Sequence, residues 1–128
     1  MTKQTQAILG LLQFLPLLQN REAIYERIGY WGDMTSRVST ATAKNLFQYL
    51  YQHGFILDNF DWMQWSDQAL AFEEDRNKLS TADMPTLYKI LTTHIRADQV
   101  TEGHYDSILE NGFLADVLTR MKEIIENK

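Results

Sequence analysis

Thr92 to Gly112 holds two of the chain's three histidines, His94 and His104, together with Arg96 and the carboxylates Asp98, Glu102, Asp106 and Glu110. Imidazole nitrogens and carboxylates in one stretch can ligate a divalent cation or work as an acid and base pair in hydrolysis. His94, Asp98, Glu102 and His104 are the candidates, provided that a tight turn at Gln99 to Thr101 folds Glu102 and His104 back toward Asp98. Their spacings of four, four and two residues permit such a site without specifying one. A zincin helix would place two histidines at i and i+4 around a glutamate, and this segment does not. Arg96 adds a planar fork that matches a carboxylate or phosphate. The local balance over residues 94–112, one arginine against four carboxylates, favours a cation or basic partner instead. Nothing in the spacing names a metal or a cofactor.

The same residues have a structural reading. His94 lies seven residues after Leu87 and three after Leu91, on the side of a helix that should face the core, with Asp98 one turn further along. A buried imidazole needs a partner for each nitrogen, and a carboxylate one turn away can accept from one of them. Arg96, roughly opposite His94, is then expected in a salt bridge with Asp98, Glu102 or Asp106. The site and the polar core both remain open on these residues.

These side chains need helices to hold them, and apolar spacing supplies helices along most of the chain. Ile8, Leu11, Leu12 and Leu15 predict a helix over 4–15 that Pro16 ends or kinks. Ala43, Leu46, Phe47 and Leu50 predict one over 41–53, capped by Ser39 or Thr40 and stopped at Gly54. Asp61 followed by Gln64 resembles a capping box, which places Trp62, Trp65, Ala69 and Phe72 on the buried stripe of a helix reaching Asp75. Arg76 and Lys78 are expected to soften the acids Glu73, Glu74 and Asp75 at its negative end. Helices over 84–97, 101–110 and 113–126 follow, with Pro85 in a first turn, Gly112 as a stop, and Arg120 and Lys122 on the outer face of the last. Residues 22–38 are punctuated by Gly29, Gly32 and Asp33 and read as a short extended segment or a ragged helical turn. The expected architecture is mainly α: one domain over 1–128, a compact bundle of five to six helices.

Composition narrows the function classes. The chain has 128 residues, 45% of them hydrophobic, and a net charge of -5 with its basic residues scattered. That length suits a single core, and the charge argues against a nucleic-acid footprint, which needs clustered Lys and Arg. Cysteine is absent, which removes disulfides, thiolate metal sites and a cysteine nucleophile. The apolar run Ala7 to Leu18 is interrupted by Gln13 and Pro16, is too short to span a bilayer and is followed by no small-x-small cleavage site. A cytoplasmic protein without a membrane segment is expected. Tyr25, Tyr30 and Trp31 could present an aromatic patch to a partner, although core packing is the simpler fate. His53 before Gly54 suits a helix-end cation.

Phe60-Asp61-Trp62-x-x-Trp65, Leu91 through Asp98, Glu102-Gly103-His104 and Glu110-Asn111-Gly112 together resemble a set of small bacterial proteins classed as a domain of unknown function. The resemblance covers most of residues 5–125 and centres on a hallmark close to His-Val-Arg-Ala-Asp-Arg-Phe-x-Glu-Gly-His. Gln99 and Val100 stand where that hallmark has arginine and phenylalanine. It implies a bacterial or phage-borne intracellular protein and directs attention to His94, Arg96, Asp98, Glu102 and His104, without lending an activity. The expected function is a small intracellular binding or regulatory module with a protein partner or self-association. The alternative is a metal-assisted hydrolase or other small enzyme built on His94, Asp98, Glu102 and His104.

Overall fold

The stripe of Ile8, Leu11 and Leu15 is carried by two helices, α1 (Lys3–Leu12) and α2 (Leu15–Gln19). Pro16 falls in the first turn of α2, where its missing N–H costs no hydrogen bond, so the break comes at Gln13 and Phe14 instead. The computed structural model describes residues 2–19, 25–27, 36–38, 40–101 and 103–127. Within them β1 (Tyr25–Arg27) pairs antiparallel with β2 (Ser36–Val38), Tyr25 opposite Val38. Of the two readings for 22–38, the extended one fits these residues. The aromatic patch lies outside the described residues, Tyr25 being described in its backbone alone.

Four of the remaining helices begin near their expected starts. α3 (Thr40–Gln52) buries Ala43, Leu46 and Leu50 and ends before Gly54, whose φ of 78° supplies the left-handed stop. Exposed His53 stacks its ring on Tyr49 at 4.0 Å. α5 (Met84–Ala97) is capped by Asp83, whose carboxylate accepts the Thr86 N–H at 3.0 Å, with Pro85 in the first turn. α6 (His104–Glu110) starts three residues later than expected, and α7 (Phe113–Glu126) follows Gly112. Seven α-helices stand among the described residues, five of them nine residues or longer. None is long and apolar enough to cross a membrane.

The expected helix from Asp61 is corrected. Asp61 does accept the Gln64 N–H at 3.2 Å, but this cap closes a turn over 62–65, and α4 runs only over Ser66–Glu74. Ala69 is its buried residue, while Trp62, Trp65 and Phe72 are half-buried, so the stripe lies at the edge of the core. Arg76, expected to neutralise the end of α4, pairs with Asp116 at 3.0 Å from the 3₁₀ turn Arg76–Thr81. Arg120 is also turned inward, its Nε donating to the Ala82 carbonyl at 3.0 Å rather than facing outward.

The buried apolar side chains other than Ala69 form one continuous cluster, and α5 runs through it. Leu91 through Ile95 are all buried, because α4, α6 and α7 pack around the helix. Polar groups on such a helix must be bonded internally. Thr92 illustrates this: its Oγ1 accepts the Leu57 N–H at 2.9 Å and donates to the Tyr88 carbonyl at 2.8 Å. Thr92→Val should therefore cost about 1–3 kcal/mol by stranding the Leu57 N–H. Thr92→Ser, which loses one methyl, should cost about 1 kcal/mol. Urea titrations of both variants check this, and a valine variant no less stable than the serine one would refute it.

Candidate functional site

His94 sits on α5 only 5% exposed. Its Nδ1 lies 2.8 Å from His104 Nε2, and the two rings meet edge to edge, within 9° of parallel. Phe113, from α7, tilts against the His94 ring at 5.0 Å. On the other side, Nε2 faces Glu73 Oε1 at 3.9 Å, beyond hydrogen-bond reach, and has no hydrogen-bond partner. The other oxygen of Glu73 accepts from Asn111 Nδ2 at 3.0 Å, and Asn111 Oδ1 accepts the Phe113 N–H at 2.8 Å. Glu73, His94, His104 and Asn111 thus join the end of α4 and both ends of α6 to the last turn of α5 and the start of α7.

The expected partner of His94 is replaced. Asp98 ends α5 with its carboxylate accepting the Tyr105 N–H at 2.9 Å, one of the donors that the first turn of α6 leaves free. It therefore fixes the α5–α6 corner and leaves His94 to His104. Arg96 Nη2 donates to the Leu57 carbonyl at 3.4 Å instead of pairing with Asp98, and the Asp106 side chain lies outside the described residues. Glu102 lies outside the described residues. Among the candidates, the structure brings His94 and His104 together and assigns Asp98 and Arg96 to other contacts.

Glu73 and Asn111 complete the group, and neither was singled out for chemistry in the sequence. Glu73 was read as one of three acids at a helix end. Its signal was position: it follows Ala69 by four residues, so a carboxylate stands on the inward side of α4.

Burial, and after it the neighbouring imidazole of His104, push the His94 pKa down to about 4. The Glu73 carboxylate pulls the other way, but at 3.9 Å it makes no hydrogen bond that would offset burial. The ring is therefore neutral at pH 7 and carries one N–H. A proton on Nε2 points at the carboxylate, whereas a lone pair there would be repelled by it, so Nε2–H is the assigned tautomer. Nδ1 then accepts from His104 Nε2–H. Two nitrogens sharing a tetrahedral zinc stand about 3.3 Å apart. At 2.8 Å the two imidazoles are hydrogen-bonded to each other. Among the described residues, no three histidine or carboxylate side chains are arranged to hold a metal ion.

Beside this line lies a cleft of about 220 Å³ between α4 and α5, lined by Trp62, Asp67, Leu70, Glu73, His94 and His104 among others. Fold and site define a small, mainly helical protein whose central helix sets a neutral imidazole between a second imidazole and a carboxylate. The chain belongs to a family of unknown function, DUF6508, whose model matches residues 3–127. No curated protein and no solved structure matches it.

Proposed function

We propose that this protein is a small intracellular binding module and that its recognition site is the cleft between α4 and α5. One observation carries the reading: His94 Nε2 is sealed from water without a hydrogen bond, on a residue that lines the cleft. Leaving such a group unsatisfied costs about 1–3 kcal/mol, which an apolar side chain of similar size would avoid. A residue that weakens the fold where leucine would strengthen it is expected where a site needs its chemistry. Among the described residues, the lining includes carboxylates and no lysine or arginine, so the site suits a neutral or cationic molecule rather than an anion. A protein partner would meet the rim at Leu70, and at Met63 beside Trp62, both exposed.

The test separates site from scaffold. His94→Leu should melt at or above the wild-type temperature, because it removes the unsatisfied nitrogen and fills the space. His94→Ala should lose about 2–4 kcal/mol through the cavity it leaves. A His94→Leu chain as unstable as His94→Ala would show that the imidazole serves the fold, and the binding reading would fall.

A further inference from the structure

We propose that Glu73 and His94 form a polarising line behind His104 and that His104 is the general base of the cleft. The substrate would be a small neutral or cationic molecule that gives up an O–H proton. This rests on the cleft being a binding site, as proposed above.

The order along the line is what such polarisation requires. The middle group is buried, while Glu73 and His104 at its two ends are partly exposed. With the His94 proton on Nε2, facing Glu73, its Nδ1 must accept from His104 Nε2–H at 2.8 Å. That fixes the tautomer of His104 and leaves the lone pair on its Nδ1, for which the described residues offer no hydrogen-bond partner. His104 also lines the cleft, so the basic ring stands where a substrate would lie. In the proposed step the substrate's O–H bond breaks, its electron pair stays on oxygen, and the proton forms an N–H bond at His104 Nδ1. The imidazolium keeps its Nε2–H on His94, whose own Nε2–H is polarised toward the carboxylate, and the proton is later returned to product or solvent. His94 and Glu73 are positioning residues here, acting through His104.

Among the described residues, little else charged faces the line. Asp98, on the same helix, is occupied by the Tyr105 N–H, and Asp67 stands across the cleft. α7 contributes the Phe113 ring, with Arg76 beyond it at 5.6 Å from the ring centre. The gap of 3.9 Å between Glu73 and His94 is about 1 Å longer than a hydrogen bond. Glu73 is tethered by Asn111 but 22% exposed, so its carboxylate has room to close that gap when charge develops on His104.

The tautomers can be read directly on the ligand-free protein. Long-range ¹H–¹⁵N spectra of the histidine rings should show His94 as the Nε2–H form and His104 protonated on Nε2 while neutral, followed between about pH 5 and 8. Diethyl pyrocarbonate, which acylates a free imidazole nitrogen, serves as the probe of basicity. At alkaline pH, where protonation no longer limits the rate, its reaction at His104 should be slower in Glu73→Gln, because a less polarised His94 leaves Nδ1 of His104 the poorer nucleophile. Glu74→Gln, on the neighbouring exposed acid, should leave the rate unchanged. His94 found as the Nδ1–H form, or equal acylation rates in Glu73→Gln and wild type, would overturn the proposal. The tautomer measurement needs no variant, so it decides even if Glu73→Gln fails to fold. Neither readout involves a ligand, so the polarising line can fail while the cleft remains a binding site, which the His94→Leu melt judges separately.

Discussion

Phe113→Ala should lower stability by about 3–5 kcal/mol, the range for emptying a buried aromatic position. The ring is 1% exposed and belongs to the largest fully buried side chains. It fills the space beneath His94 at 5.0 Å and carries the Arg76 guanidinium over its face at 5.6 Å. The backbone at Phe113 is held by the Asn111 side chain, so collapse of α7 into the cavity would break the contact that also tethers Glu73. The surroundings therefore have little freedom to close the void, which places the cost toward the upper part of the range. Urea unfolding should show a lower midpoint with an unchanged slope, and Tm should fall on the order of 10 °C or more. Phe113→Leu, which keeps most of the volume, should lose far less. A Phe113→Ala variant within about 1 kcal/mol of wild type would mean that the ring does not support His94 as described.

Much of the scaffold was legible because it is written in local spacing. The inward faces of α3, α5 and α7 follow from residues three and four apart, and Gly54 and Gly112 mark the stops of α3 and α6 because each adopts a left-handed backbone. The Asp61 cap misled because a side chain accepting a hydrogen bond three residues on closes a turn as readily as it opens a helix. His94 was correctly turned inward by its register with Leu87 and Leu91, but its partner was misassigned. Spacing reveals neighbours on the same helix, and Asp98 was the neighbour in view. The partners that matter come from α4 and α6, brought in by packing that no local pattern encodes. Arg96 shows the same limit, since its contact with Leu57 spans 39 positions.

Acidification should weaken the protein by about 3 kcal/mol between pH 6.5 and about pH 4 through His94 alone. In the unfolded chain the imidazole takes up a proton near its ordinary value of 6.5, while in the folded protein burial and His104 hold it off until about 4. Within that window the unfolded state binds more protons, so stability falls as pH falls. The contribution is fully present above 6.5 and is lost by about 4, below which this group adds no further slope. The Glu73 carboxylate at 3.9 Å opposes the trend, and a larger influence from it would show as a shallower fall. Unfolding free energies measured from urea titrations across this window, for wild type and His94→Leu, isolate the term because the other ionisable groups are common to both. The wild-type curve should drop more steeply by about 3 kcal/mol over the window. Superimposable curves would show that His94 charges as freely in the folded protein as in the unfolded chain. The neutral ring assigned beside Glu73 would then be wrong, and with it the direction of the hydrogen bond to His104.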